Sequence, residues 1–247
     1  MSTGRITTAL FDMDGLLIDS EPLWQSSELE IFAELGLNIH DDVPETLGLR
    51  IDQVVRLWYQ RQPWRGLSQQ AVCQRILDRV LEQVRETRPL LPGVEAALRL
   101  CRQQDLRIGL ASASPLPMLQ EVLKMFALEE YFDHVASAEH LPHSKPHPEV
   151  YLGAAEALGS DPLSCVTLED SFNGMIATKA ARMRSIVVPA ASAFDDPRWT
   201  LAEVKLASLE QLRARSPALT PPQRGATHPG SHKKAPFLYI YTANSHQ

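Results

Sequence analysis

The chain has 247 residues, a formal net charge of −6 and an apolar fraction of 44%. This composition is typical of a soluble globular protein with room for one large domain or a core carrying an insertion. The acidic balance argues against a nucleic-acid partner, and no apolar run reaches the ~18 to 20 residues of a membrane span. Three widely spaced cysteines and the lack of a signal-peptide pattern lead us to expect a cytoplasmic protein.

The first part of the chain predicts one strand followed by a helical block. ITTALF, at 6–11, is short and β-branched, which favours a buried strand. Segments 21–36, 51–62 and 68–86 then carry apolar residues at helical spacing, with no convincing strand between them. We therefore predict an inserted α-helical cap over residues 21–88.

From residue 89 onward, strand-like and helical segments alternate. Further strands are predicted at 106–114, 134–139, 165–170 and 185–190, and helices at 94–104, 115–126, 147–159 and 173–183. Such alternation predicts an α/β fold in which helices cover both faces of a Rossmann-like parallel sheet. We assign residues 1–20 and 89–215 to this core. Residues 216–247, rich in Pro, Gly, Ser, His and Thr, are predicted to be a disordered tail.

Three acids, Asp12, Asp14 and Asp19, follow the first predicted strand. An isolated Asp-x-Asp-Gly is common in turns, because Asp accepts local backbone hydrogen bonds and Gly tolerates positive φ. In open α/β sheets, however, ligands bind beyond the carboxyl ends of the strands. These acids therefore lie where a binding site is expected.

Polar residues also follow the other predicted strands. SAS, at 112–114, ends the second strand, Lys145 lies beyond the third, and Glu169 and Asp170 end the fourth. Because parallel strands end at a common edge, we expect acids, hydroxyls, backbone amides and one lysine to converge there. Phosphoryl transfer through a carboxylate nucleophile needs such a set.

These motifs occur in a recognisable order. DxDGxxxDS, SAS, SKPHP and LEDSxNG resemble the haloacid dehalogenase-like superfamily of Mg²⁺-dependent phosphohydrolases, in the branch with a helical cap. The resemblance runs through residues 6–210. Additional segments, DSEPLW, LGLRIDQVV, LASASPLPMLQ and KAARMRSIVVPA, are similar to bacterial hexitol and sugar phosphatases, and the related β-phosphoglucomutases share the same motifs.

The resemblance implies the catalytic roles of the core motifs. Asp12 would be the nucleophile that forms an aspartyl-phosphate, and Asp14 would be the general acid and base. Mg²⁺ would be held by Asp12, the backbone carbonyl of Asp14 and Asp170. Lys145 would add a second positive charge beside Asp12 and the phosphoryl group.

The substrate-binding residues implied are of two kinds. In the core, Met13 lies between the two catalytic acids, while the Ser112 hydroxyl and the Ala113 amide would hold phosphate oxygens. In the cap, Gly48 would let its loop approach closely, and Arg50 would touch a sugar hydroxyl or a phosphate. An arginine in such a loop is equally often a solvated surface residue.

Two further acids would support this site. Asp19 and Glu169 would form hydrogen bonds to the ligands or hold metal-bound water. For Asp19, a contact at a helix N-terminus is an equal alternative.

The presence or absence of particular residues in this chain distinguishes between the reactions that related enzymes catalyse. Dehalogenases lack the second acid, which is present here as Asp14. Phosphonatases need a cap lysine, and residues 15–123 contain none. β-Phosphoglucomutases carry a cap lysine and a histidine where this chain has Trp24. Because arginine could replace that lysine, a phosphosugar mutase stays open, as does a non-catalytic sugar-phosphate-binding regulator.

The resulting prediction is a monomeric, Mg²⁺-dependent phosphatase for small sugar or polyol phosphate monoesters. The resemblance points to substrates such as 2-deoxyglucose 6-phosphate and hexitol phosphates. A cap closing over the carboxylates would exclude bulk water and leave a chamber too small for phosphoproteins or nucleic acids.

Overall fold

The computed structural model describes residues 5–39 and 46–213. Within them, strands form one parallel sheet, composed of β1 Thr8–Phe11, β2 Arg107–Ser112, β3 His134–Ser137, β4 Cys165–Glu169, β5 Arg184–Val187 and β6 Val204–Lys205. Their order across the sheet is β3-β2-β1-β4-β5-β6. The predicted α/β fold with a parallel sheet is therefore confirmed.

The same residues contain seven α-helices. They are α1 Glu21–Glu34, α2 Ile51–Arg61, α3 Gln69–Thr87, α4 Val94–Gln103, α5 Leu116–Met125, α6 Glu149–Ala157 and α7 Phe172–Ala180. The first three follow β1 directly, and the other four lie between the later elements of the sheet.

Helices cover both faces of the sheet because alternate strand residues point to opposite sides. In β1, Ala9 and Phe11 belong to one buried cluster, which includes Leu98 of α4 and Leu119 of α5. Leu10 belongs to a second cluster, which α6 and α7 complete. The central strand is thus desolvated on both sides, and its carboxyl end is a fixed point of the structure.

The helices α1, α2 and α3 pack on one another around an aromatic centre. The Phe32 ring lies 5.7 Å from that of Trp58 and 6.2 Å from that of Trp64, measured between centroids. All three side chains are buried, as expected for residues that pack the interior of the predicted cap. The division into core and cap at residues 20 and 89 remains a prediction that these contacts support.

Two chain segments join α1–α3 to the sheet, and they run side by side. The Asp19 amide donates to the Pro89 carbonyl at 2.8 Å, and the Leu91 amide donates to the Leu17 carbonyl at 2.9 Å. Ile18 and Leu90 form an antiparallel bridge between these contacts. The entry to the helical block and the exit from it are therefore one hydrogen-bonded ribbon.

The structure corrects the predicted strands: one strand was missed, and β2, β3 and β5 end at Ser112, Ser137 and Val187, before the predicted ends at residues 114, 139 and 190. The edge strand β6 was not predicted, because two residues are too few to produce a periodic pattern. The predicted tail at 216–247 lies outside the described residues, and none of the described helices is long and apolar enough to cross a membrane.

Candidate active site

The carboxyl edge of the sheet brings most of the predicted site residues together. Asp12 follows β1, Ser112 ends β2 and Asp170 follows β4, and these residues line one cavity of about 500 Å³ together with Asp14 and Ala113. Further walls come from α1 and from the segment at 46–54, and smaller parts come from Asp19, Ser114, Pro115, Ala190 and Ser192. The carboxylates that are predicted to be catalytic and the helical block therefore enclose the same space.

Lys145 is a fully buried ammonium placed between two carboxylates. Its Nζ lies 3.0 Å from Asp12 Oδ1 and 2.7 Å from Glu169 Oε1. The ammonium is the only described group that Asp12 Oδ1 meets at this distance, and this buried oxygen has no donor among the described residues besides Lys145. A carboxylate oxygen in that state is available to a ligand.

The charges at this edge are crowded and desolvated. Burial raises the pKa of Asp12 to about 7, although the positive charge of Lys145 acts in the opposite direction. Burial, reinforced by Glu169 and Asp12, raises the pKa of Asp170 well above its usual value. Burial by itself would lower the pKa of Lys145. The Asp12 and Glu169 carboxylates raise this pKa by more than burial lowers it, so the ammonium form is favoured.

The acids fit a hard cation. Asp12, Glu169 and Asp170 offer carboxylate oxygens that lie within 4.8 Å of one another. Gly15, at φ +68°, leaves room for Asp170, because a Cβ there would lie 2.0 Å from Asp170 Oδ2. Oxygen ligands of this kind suit Mg²⁺, whose charge would offset that of the carboxylates.

Both carboxylate oxygens of Glu169 already have protein donors. Oε1 accepts hydrogen bonds from Lys145 Nζ and from the Tyr151 hydroxyl, and Oε2 accepts one from Ser171 Oγ at 3.2 Å. Asp12 and Asp170 are thus the freer ligands, and the contacts of Glu169 suit its predicted supporting role.

The Asp14 carboxylate is held by three donors. Oδ1 accepts from Ser20 Oγ at 2.7 Å and from Trp24 Nε1 at 2.9 Å, and Oδ2 accepts from Ser114 Oγ at 2.7 Å. This fixes the carboxyl group at the cavity wall, apart from the acidic cluster of Asp12, Glu169 and Asp170. The indole N–H is only a donor, so Trp24 orients Asp14 without exchanging protons with it.

Comparison with known proteins agrees with this geometry. Residues 6–182 match the family model described as haloacid dehalogenase-like hydrolase. The chain belongs to the haloacid dehalogenase-like hydrolase family. It is 63% identical to hexitol phosphatase B of Escherichia coli (strain K12) over 218 residues, which cover 87% of this chain and 98% of that protein. The predicted family membership is confirmed.

Solved structures show the same fold. CbbY from Rhodobacter sphaeroides, crystallised with phosphate, superposes with a TM-score of 0.74 at 26% identity, covering 83% of this chain and 96% of CbbY. β-Phosphoglucomutase from Clostridium difficile superposes with a TM-score of 0.73 at 24% identity, covering 84% of this chain and 93% of the mutase. At that identity the mutase supports the fold alone.

In this haloacid dehalogenase-like hydrolase, Arg50 does not line the cavity. Its Nη1 donates to the carbonyls of Ala138 at 2.6 Å and Leu141 at 2.8 Å, and the guanidinium pairs with Asp52. The predicted contact with a sugar is therefore not made in this arrangement. Arg50 instead ties the α1–α3 block to the loop that precedes Lys145.

Gly48 lines the cavity, and its part in substrate binding stays a prediction. Its φ is +76°, and a Cβ there would come within 2.5 Å of Ser171 Oγ. The neighbouring Leu47 carbonyl accepts a hydrogen bond from Asn173 Nδ2 at 2.8 Å. The glycine therefore allows this loop to close onto the start of α7.

The side chains of Met13 and Asp19 make fewer contacts with the site than predicted. The Met13 side chain is fully buried in the core, so only its backbone remains available to a substrate. Asp19 is exposed at the cavity rim, where its side chain has no hydrogen bond to another described residue. Among the described residues, Asp19 makes no contact that supports the predicted metal ligands. Its side chain does not cap α1 either.

Sequence reasoning missed Tyr151, which is fully buried on α6. Besides its hydrogen bond to Glu169, its ring lies 5.0 Å from Lys145 Nζ, which allows a cation–π contact. Tyr151 therefore positions the pair that holds Asp12. In the sequence it is one apolar-face residue of a helix, and no local signal marks it.

The other omission is the cavity face of α1. Glu21, Gln25 and Glu28 line the cavity at helical positions i, i+4 and i+7. Their spacing was visible in the sequence, but charged residues on a predicted helix are usually solvent-facing. Only the position of α1 over the sheet turns them inward.

Glu28 gives a prediction about pH. Burial raises its pKa from an ordinary 4.5 to about 7, so between those values the unfolded chain binds fewer protons than the folded one, and folding stability falls as pH rises. From pH 5 to 8, the free energy of unfolding of the wild type should decrease by on the order of 1 to 2 kcal/mol more than that of Glu28→Gln. Urea unfolding in a chelator measures this difference.

The matched control is Glu30→Gln, on the same helix but exposed and paired with Arg79. Its pH profile should follow that of the wild type. Parallel profiles for wild type and Glu28→Gln would contradict the prediction.

Proposed function

We propose that this chain is a Mg²⁺-dependent phosphatase that hydrolyses small sugar or polyol phosphate monoesters through an aspartyl-phosphate on Asp12. The observation that carries the proposal is the buried pair of Lys145 and Asp12, 3.0 Å apart, in which Asp12 Oδ1 has no donor among the described residues besides Lys145. The enzyme class itself, a phosphatase of the haloacid dehalogenase-like family, is shown by the 63% identity to a hexitol phosphatase over nearly the whole of that relative.

Asp12 performs the first displacement. A carboxylate oxygen attacks phosphorus in line, the phosphorus–oxygen bond to the sugar breaks, and an aspartyl-phosphate forms. Lys145 stays charged beside Asp12 and offsets negative charge on the phosphoryl group. The Ser112 hydroxyl and the backbone amides of Met13 and Ala113 hold the phosphate oxygens, a role that the position of Ser112 and Ala113 on the cavity wall supports.

Asp14 moves the protons. It gives its proton to the leaving sugar oxygen, and in the second half-reaction it takes a proton from the water that attacks phosphorus. Inorganic phosphate then leaves and Asp12 is regenerated. The hydrogen bonds from Ser20, Trp24 and Ser114 keep the Asp14 carboxyl in place through both steps.

The metal ligands are the Asp12 and Asp170 carboxylates and the Asp14 backbone carbonyl, with Glu169 supporting them through Lys145. When bound, Mg²⁺ supplies positive charge that lets a carboxylate approach a phosphate dianion. The raised pKa of Asp170, caused by burial and by its acidic neighbours, supports the need for such a cation.

The substrate class follows from the cavity and from the relative. A volume of about 500 Å³ under α1 accommodates a phosphorylated hexose or hexitol, but not a folded phosphoprotein. The E. coli relative is named for hexitol phosphates. The candidate substrates are therefore hexitol phosphates and 2-deoxyglucose 6-phosphate, hydrolysed by a monomer in the cytoplasm.

The test is a phosphate-release screen over sugar and polyol monophosphates, with Mg²⁺ and with a chelator. We expect release from several hexose or hexitol phosphates in Mg²⁺ and loss of release in the chelator. Conversion of β-glucose 1-phosphate to glucose 6-phosphate without phosphate release would favour a mutase. Binding without any turnover would favour a regulator.

Asp14→Asn gives a more specific result. The variant should bind a hexitol phosphate with an affinity within a few-fold of the wild type, while kcat falls by about 10²- to 10⁴-fold, because proton transfer is lost. Steady-state kinetics together with calorimetric titration separate the two effects. An unchanged kcat would assign the general acid to another residue.

A further inference from the structure

The wall of the cavity formed by α1 carries polar side chains that have no hydrogen-bond or ion-pair partner in the part of the chain that the structure describes. Glu28 lines the cavity, is half-buried, and makes no hydrogen bond or ion pair within the described residues. The same is true of Gln25, one turn earlier on α1, although this side chain is more exposed. Acceptors of this kind are available to a ligand.

Glu28 lies at the end of this wall that is far from the catalytic acids. It is seven residues beyond Glu21, which corresponds to about 10 Å along the helix axis. The pKa of Glu21 is raised to about 8 by burial and then by the charges of Asp14 and Asp12. The pKa of Glu28 is raised by burial alone. We call the surface of Gln25 and Glu28 the distal wall.

At this end the described part of the chain places no cationic side chain on the cavity wall. Among the described residues that line it there is no lysine, arginine or histidine. Lys145 is buried beside Asp12 at the catalytic end. Arg50, the one cationic side chain predicted for the cap contact, is engaged by two backbone carbonyls and Asp52.

We propose that the distal wall, through Glu28, selects substrates whose far end is a neutral polyhydroxyl group and rejects those that carry a second phosphate. The inference rests on the proposed phosphatase function and narrows its substrate class to monophosphates. Carboxylate and amide oxygens accept hydrogen bonds from hydroxyl groups, whereas a second phosphate of charge about −1.5 to −2 would face a carboxylate that has no counter-ion among residues 5–39 and 46–213.

The same wall bears on the mutase alternative. A mutase that passes a phosphoryl group from one end of a sugar to the other has to hold a bisphosphate in both orientations. A cavity that repels phosphate at its far end releases the dephosphorylated product instead. The distal wall therefore favours hydrolysis over isomerisation.

The experiment compares a matched pair, glucitol 6-phosphate and glucitol 1,6-bisphosphate, which differ only in the second phosphate. For the wild type in Mg²⁺ at about pH 8.5, above the pKa of about 7 that burial gives Glu28, kcat/KM should be at least about 100-fold higher for the monophosphate. Glu28→Gln, which removes the charge and keeps the size, should reduce this preference at least about 10-fold. Glu28→Lys should reduce it further by raising activity toward the bisphosphate.

Glu30→Gln, on the outer side of α1, is the control and should keep the wild-type preference; circular dichroism and melting temperature check the fold of each variant. Equal kcat/KM for the two esters in the wild type, or a preference in Glu28→Gln equal to that in Glu30→Gln, would overturn the inference. Affinities of the two esters for Asp12→Asn, which is expected not to turn over, test the selection without catalysis. If that binding preference is present but no monophosphate is hydrolysed by the wild type, the proposed function fails and the selectivity of the wall stands.

Discussion

Asp12→Asn is expected to abolish phosphate release, with kcat reduced by at least about 10⁴-fold for every sugar phosphate that the wild type hydrolyses. Asparagine keeps the size of the side chain but cannot form an acyl phosphate. Because Asp12 is buried with its pKa raised to about 7, a neutral amide at this position removes a desolvated charge. The fold and its melting temperature should therefore be retained.

The measurement is a continuous phosphate-release assay under saturating substrate and Mg²⁺. Asp12→Ala is assayed in parallel, because slow deamidation of an asparagine would restore aspartate only in the first variant. The control is Asp78→Asn, on α3, whose side chain accepts a hydrogen bond from Gln74 at the surface. Activity in Asp12→Ala above about 1% of the wild type would remove Asp12 as the nucleophile.

Lys145→Met is expected to reduce both stability and activity. Methionine has nearly the same length but no charge, so Asp12 and Glu169 lose the buried ammonium that lies within 3.0 Å of each. Removing one partner of a buried ionic cluster costs about 3 to 5 kcal/mol of unfolding free energy. We expect that loss near pH 8, and a kcat lower by at least about 10³-fold.

Urea unfolding at pH 8 and pH 5.5 tests the electrostatic origin of this loss. Since the pKa of Asp12 is raised to about 7, the site is more fully protonated at pH 5.5 and the variant should recover part of its stability there. Lys124→Met, at the exposed end of α5, serves as the control. A loss below about 1 kcal/mol at pH 8 would show that Lys145 does not balance these carboxylates.

The catalytic half of the site could be predicted because strand ends are visible in the sequence. Asp12, Ser112 and Asp170 each follow an apolar β-segment, and a parallel sheet places such positions on one edge. The convergence of these residues needed only the order of the elements, whereas their catalytic roles were implied by the resemblance to the haloacid dehalogenase-like superfamily. No long-range packing had to be known.

The remaining contacts depend on packing that a pattern does not encode. Arg50 was a reasonable substrate ligand until the structure placed the Ala138 and Leu141 carbonyls within its reach. Glu28 was overlooked because a glutamate on an amphipathic helix is normally solvated. Tyr151 was overlooked because it is 18 residues away in the sequence from Glu169, the residue to which its hydroxyl donates.

The ribbon of residues 17–19 and 89–91 has a consequence for how substrates enter. Because the two connections lie side by side, any rigid-body rotation of the helical block relative to the sheet would have its hinge axis at this ribbon. Trp24 and Glu28 belong to the first helix beyond it, so the rotation would withdraw both from the chamber at once. On closing, such a rotation would bring Trp24 to the proposed proton donor Asp14 and Glu28 to the incoming sugar in the same movement.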